Sequence, residues 1–207
     1  MMCLSKGLGA VQFAMDEGLL PRRKLAFIPT AGEVYENPYF VEESRQRLRL
    51  LGLELVEMNV SAESSIALKQ LLDEVDGLYL SGGNSFYLLD QLKKKDLVAE
   101  IRSRVQAGMP YFGESAGAVV LSESIELLAP IDDPKLAPEL TEPTALGLID
   151  FLPLPHFDRE KYQPLFTHFY EENRDKAKII PFNDDQALLI RDGGEPEVLA
   201  SALQELF

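Results

Sequence analysis

One cysteine and two histidines are all that the 207 residues hold of the softer metal-binding side chains. A lone thiol, Cys3, excludes an internal disulfide and fits a reducing compartment. Its place near the start of the chain argues against a catalytic thiol. With only His156 and His168 available, a multi-histidine metal site is disfavoured, and neither metal nor cofactor is expected. Basic residues are scarce as well: 20 Lys and Arg stand against 34 Asp and Glu, a net charge of −14. No basic patch stands out, so nucleic acid is not an expected partner. No apolar run reaches the length of a membrane span. Met1 to Leu20 is broken by Asp16 and Glu17 and lacks a basic start, so it is not read as a signal peptide. The expected location is cytoplasmic, without a membrane partner. Internal repeats and low-complexity segments are lacking too.

What the chain does have is apolar character, 46% of residues. That suits a single α/β domain over 1–207 with a sizeable core. Residues 1–20 are the least legible part, either a short strand and helix or a poorly ordered extension. After them, short apolar runs alternate with helical periodicity. Strands are expected at 24–28, 53–58 and 77–80. Helices are expected at 38–51, closed by Gly52, and at 61–72, with Ser61 as N-cap or Ser64 as a later start. A further helix carries Leu88, Leu89 and Leu92, and another spans 97–106. Residues 130–143 read as a surface loop. An apolar run at 146–154 precedes a helix at 162–174, and strands are expected at 178–182, 186–190 and 197–200. The order predicts a doubly wound, mostly parallel sheet with helices on both faces and an antiparallel edge. In such sheets ligands sit at the carboxyl ends of strands. The loops at Thr30, Ser81–Asn84, Gly113–Ser115 and His156 should converge there.

The stretch with the most chemistry is Tyr111-Phe112-Gly113-Glu114-Ser115-Ala116-Gly117-Ala118. An apolar lead-in, a G-x-S-x-G pattern and a run of small residues make a strand, a sharp turn and a tightly packed helix. Such a turn holds its central residue in a strained conformation with the side chain exposed. The flanking glycines remove Cβ atoms that would clash. Ser115 is therefore a candidate nucleophile, against the alternative of an ordinary glycine-serine loop. A serine hydroxyl needs an adjacent base. His156, just past an apolar run, is preferred over His168, which lies within a helix. The carboxylate that orients the base is ambiguous: Asp184 ranks first, Asp132 or Asp133 second, and Asp158 is near in sequence. The N–H of Ala116 and one from Gly82–Gly83 are candidate oxyanion donors. Ser81-Gly82-Gly83-Asn84 can equally be a plain strand-to-helix turn.

Taken together, Ile28-Pro29-Thr30-Ala31, Leu80-Ser81-Gly82-Gly83-Asn84-Ser85-Phe86, Gly113-Glu114-Ser115-Ala116-Gly117-Ala118 and Leu154-Pro155-His156-Phe157 resemble the peptidase E (aspartyl dipeptidase) family, related to cyanophycinase. The likeness runs from about residue 24 to about 192. It implies a flavodoxin-like fold related to class I glutamine amidotransferases. It further implies a metal-free serine peptidase acting on short acidic peptides, with Ser115 as nucleophile and His156 as base. The glycines before Asn84 match the family's oxyanion and substrate-binding loop. The third member falls at Asp132/Asp133 or at Asp184. The arginine that binds a substrate aspartate in that family follows the histidine by about a dozen residues. Here Thr167-His168-Phe169 stands in that place, with Arg159 and Arg174 nearby, so side-chain preference stays open. Residues 1–20 do not match the family's opening strand well.

The expected function is thus a serine-type, dipeptidase-like peptidase working through an acyl-enzyme, with a short peptide as partner. Self-association into a homodimer is left open. Two rivals are kept: an esterase of α/β-hydrolase type, using Asp132 or Asp133, and a non-catalytic binding module on the same fold.

Overall fold

The middle strands of the sheet are apolar at almost every position, which requires cover on both faces. A computed structural model describes residues 1–20, 22–191 and 194–201. The single-domain expectation over 1–207 reaches residues 202–207, which lie outside the described residues. The strands of the main sheet are β1 (Met2–Leu4), β2 (Lys24–Ile28), β3 (Glu54–Glu57), β4 (Gly77–Leu80), β5 (Tyr111–Glu114), β8 (Gln186–Leu189) and β9 (Glu197–Ala200), in the order β3-β2-β4-β5-β1-β8-β9. All pairings from β3 to β1 are parallel, and β8 and β9 close the sheet antiparallel. β6 (Leu152–Leu154) and β7 (Ile179–Pro181) form a separate two-stranded parallel sheet.

Alternation along the strands divides the core. Leu4, Leu25, Phe27, Tyr79 and Phe112 face α1 (Gly9–Asp16) and α2 (Tyr39–Leu50). Cys3, Ala26, Ile28, Leu78, Leu80 and Tyr111 face α3 (Ser65–Asp73), α4 (Ser85–Lys94), α5 (Leu97–Gln106) and the short α6 (Ala116–Val119). Fully burying each large aliphatic or aromatic side chain contributes about 1.5–3 kcal/mol. The result is the expected doubly wound sheet with helices on both faces. α7 (Gln163–Asn173) follows the β6 segment.

Several expectations are narrowed to one of their alternatives or corrected. Residues 1–20 hold both a strand and a helix, and β1 lies in the middle of the sheet between β5 and β8. Three residues are too few for periodicity to reveal; pairing on both sides makes the strand. The helix expected from Ser61 begins at Ser65, with Ser64 Oγ accepting the Ala67 N–H at 3.2 Å. The Ala62 and Glu63 N–H groups instead turn back on the Asn59 carbonyl. The helix after the elbow is short, Ala116–Val119. Of 146–154 only Leu152–Leu154 is strand, and 178–182 supplies β7 of the small sheet rather than a main-sheet strand. Among the described residues no helix is long and apolar enough to cross a membrane.

Candidate active site

Topology brings the site residues to one sheet edge. β4, β5 and β1 are parallel neighbours, so the turns after them, at Gly82, Ser115 and Ser5, lie side by side. β8 runs antiparallel to β1, pairing Ala187 with Leu4. Its N-terminal approach, Asp184, therefore reaches the carboxyl end of β1. β6 of the small sheet delivers His156 to the same place.

Ser115 has φ 49° and ψ −107°, the strained conformation expected of the elbow. Such conformations cost about 1–3 kcal/mol and persist where surroundings enforce them. The glycines here meet steric demands. A Cβ on Gly113 would lie 2.3 Å from the Gly117 carbonyl oxygen, and one on Gly117 would lie 2.3 Å from that of Leu80. The Tyr111 hydroxyl donates to the Gly117 carbonyl at 2.7 Å, fastening α6 to its own strand.

The Ser115 hydroxyl lies 3.0 Å from His156 Nε2, and His156 Nδ1 lies 2.6 Å from Asp184 Oδ1. An ionised carboxylate only accepts, so Nδ1 carries the proton and Nε2 offers its lone pair to the serine. Burial alone would raise the Asp184 pKa, but hydrogen bonds from His156, Arg159 and Ser5 outweigh it and hold the carboxyl well below the usual range. Arg159 donates its Nε–H to Asp184 Oδ2 at 2.5 Å.

Ser5 was not singled out in the sequence, yet it touches both partners. Its hydroxyl donates to Asp184 Oδ1 at 2.7 Å and accepts the His156 main-chain N–H at 2.9 Å. It also lies 3.0 Å from His156 Nδ1. His156 has φ 63°, uncommon for a side-chain-bearing residue, and Ser5 anchors that backbone. No sequence signal marks it, because a serine after a three-residue strand has no pattern to stand out from.

The other candidates lie elsewhere. Asp132 accepts Asn84 Nδ2 at 2.6 Å and the Ser85 N–H at 2.7 Å, so it caps α4. Burial raises its pKa, opposed by the Ser85 and Asn84 hydrogen bonds. Asp133 accepts the Lys135 N–H, and Asp158 accepts the Asp184 N–H. His168 is 69% exposed on α7, facing Glu172. The Ser-Asp-His order of the esterase alternative lacks its acid, because neither Asp132 nor Asp133 meets the imidazole.

The turn after β4 also differs from expectation in detail. Asn84 is fully buried, and its Oδ1 accepts the Tyr87 N–H at 2.8 Å. It is a helix cap that shapes the turn, not a pocket residue. The Gly82 N–H meets the buried carboxylate of Glu114. Gly83 and Ala116 donate no main-chain hydrogen bond among the described residues. Both line the cavity beside Ser115. Gly83 has φ 142°, and a Cβ there would lie 2.0 Å from the Ala31 carbonyl oxygen, so only glycine fits.

Ser115, His156, Gly82 and Gly83 line a cavity of about 550 Å³, within the usual range for small-ligand sites. Aromatic residues, among them Tyr35, Phe40 and Tyr162, form part of its wall. No group of three or more His, Cys, Asp or Glu among the described residues is arranged to hold a metal ion. Cys3 is buried in the core, where burial pushes its thiol pKa up to about 12.

The chain matches the model of peptidase family S51 over residues 13–197. It is 36% identical over 180 residues to an uncharacterized peptidase of Listeria innocua, covering 87% of this chain and 86% of that one. It is 36% identical over 135 residues to peptidase E of Shewanella amazonensis, covering 65% of this chain and 54% of that longer relative. Its structure is similar to that of a candidate peptidase E from Listeria monocytogenes, with a TM-score of 0.86, 32% identity and 98% of both chains covered. Matched over residues 13–197 and similar to relatives across most of its length, this chain belongs to peptidase family S51 and is a peptidase.

Proposed function

We propose that the chain is a serine-type peptidase that cleaves short peptides through an acyl-enzyme on Ser115. The observation that carries this reading is the 3.0 Å approach of Ser115 Oγ to an imidazole whose far nitrogen meets Asp184 at 2.6 Å. In the proposed first step Ser115 Oγ attacks the scissile carbonyl carbon while its proton passes to His156 Nε2. The carbonyl oxygen becomes an oxyanion, held by the Gly83 and Ala116 N–H groups. His156 then gives the proton to the departing amine as the C–N bond breaks. Water, deprotonated by the same imidazole, attacks the acyl-serine ester and restores the hydroxyl. Asp184 stays ionised, orienting the ring and stabilising the imidazolium. The preference for short peptides is supported by the cavity, whose volume of about 550 Å³ suits a few residues.

The test is Ser115→Ala assayed on a dipeptide panel, beside fluorophosphonate labelling of the unaltered protein. The reading expects loss of turnover and labelling confined to Ser115. Undiminished turnover in the variant rejects it. Labelling at Ser115 with activity on acyl esters alone would move the assignment to an esterase, and absent labelling in a folded sample to a binding module.

A further inference from the structure

Glu114, the residue before the elbow serine, is a carboxylate that the proposed steps leave unused. It is 5% exposed, at the end of β5. Its Oε2 accepts the Ser44 hydroxyl of α2 at 2.8 Å and the Tyr79 hydroxyl of β4 at 2.9 Å. The Gly82 N–H adds a favourable electrostatic contact with the charged carboxylate. Among the described residues no lysine, arginine or histidine forms an ion pair with it. A buried carboxylate met only by neutral donors is expensive, and a neutral residue of the same shape could pack there at lower cost. The two hydroxyl donors come from α2 and β4, and with the Gly82 N–H they surround one side chain beside Ser115. Gly82 itself packs on the elbow, since a Cβ there would lie 3.3 Å from the Cβ of Ser115.

We infer that Glu114 is a positioning residue for the peptidase site: as a carboxylate it clamps Gly82, and through it the neighbouring Gly83 N–H, against the Ser115 elbow. This rests on the acyl-enzyme reading above. The clamp works only in the ionised form. Once protonated, the group becomes a donor facing two hydroxyls and an N–H, and its electrostatic hold on Gly82 is lost. Charged and titratable groups facing it are Tyr79 from β4 and, from α2, Glu43, which is itself paired with Arg47. Burial pushes the Glu114 pKa up to about 7, opposed by the Ser44 and Tyr79 hydrogen bonds and by the Gly82 N–H. Perturbed groups of this kind gather at functional sites. The clamp therefore loosens as the pH falls through neutrality.

The experiment compares the full chain with Glu114→Gln and Ser44→Ala, using the pH profile of dipeptide hydrolysis, with Ser115→Ala in the same assay. The acid limb of kcat/KM of the unaltered enzyme should include the uptake of one proton by Glu114. Glu114→Gln should lower kcat about 10- to 100-fold at pH 8 with KM little changed, less than loss of an oxyanion donor itself. Its acid limb should take up one proton fewer than that of the unaltered enzyme. Ser44→Ala removes a bond that lowers the Glu114 pKa, so its acid limb should move to higher pH; this variant carries the test if Glu114→Gln does not fold. A folded Glu114→Gln with the profile of the unaltered enzyme overturns the inference. So does a lowered kcat with the slope of the acid limb unchanged, which is what a merely structural role gives, or an unmoved limb in Ser44→Ala. If these occur while Ser115→Ala is inactive, only the Glu114 assignment falls. An active Ser115→Ala removes the peptidase reading and the inference together.

Discussion

Ser5 accepts the main-chain N–H of His156 at 2.9 Å, across 151 residues of sequence. The bond fixes the backbone of the imidazole, while the same hydroxyl donates to Asp184. Ser5→Ala deletes both and leaves a partly buried N–H without its partner, which costs about 1–3 kcal/mol. We expect kcat to fall about 10- to 100-fold, because the imidazole loses its alignment with Ser115. KM should change little. Steady-state kinetics and urea unfolding on the same preparation check both parts.

Asp184 and Asp132 make a discriminating pair. Asp184→Asn keeps the shape but lets the amide favour the wrong imidazole tautomer, for which a loss of about 10⁴ in kcat is expected. Asp132→Asn weakens the cap of α4 and should cost about 1 kcal/mol of stability, with kcat held within a few-fold. Equal kinetic effects of the two substitutions would contradict the geometry.

The contrast also shows what the sequence could reveal. The elbow was legible because part of its demand is local: a Cβ on Gly113 would meet the Gly117 carbonyl of the same turn. The strand-helix alternation was legible because burial on both faces leaves continuous apolar runs. The choice among acids was not settled by local signals. Asp132 and Asp184 both sit in loops, and which one meets His156 depends on β8 returning antiparallel beside β1. That pairing is a property of the whole sheet. β1 escaped for the same reason: Met2-Cys3-Leu4 becomes a central strand only because β5 and β8 flank it. Glu114 stood in the motif, but its role depends on donors 35 and 70 residues away.

Gly82 and Gly83 should respond differently to the same methyl group. At Gly83 the added carbon meets the Ala31 backbone at 2.0 Å, and backbone cannot step aside. Gly83→Ala should therefore unfold the turn, with a loss above the ordinary range of about 0.5–3 kcal/mol. At Gly82 the nearest atom is the Ser115 Cβ at 3.3 Å, a contact relieved by a small shift. Gly82→Ala should fold, yet label more slowly with a fluorophosphonate, since the shift is taken up at the nucleophile. Thermal melts paired with labelling rates separate the two cases.

The buried carboxylate also predicts how stability depends on pH. Folding raises the Glu114 pKa from 4.5 to about 7, so the folded state holds a proton that the unfolded chain releases. The stability this provides is complete below about pH 4.5 and is lost as the pH rises through 7. At 1.36 kcal/mol per pH unit, the interval from 4.5 to about 7 amounts to about 3 kcal/mol. Glu114→Gln has no such proton. Asp184, whose pKa is depressed, acts in the opposite direction at lower pH, but it is common to both proteins and cancels in their difference. The unfolding free energy of Glu114→Gln minus that of the unaltered chain should therefore increase by about 3 kcal/mol between pH 4.5 and pH 8. Urea titrations at intervals across that range measure it, and a difference that stays level means that Glu114 titrates in the fold as it does in the open chain.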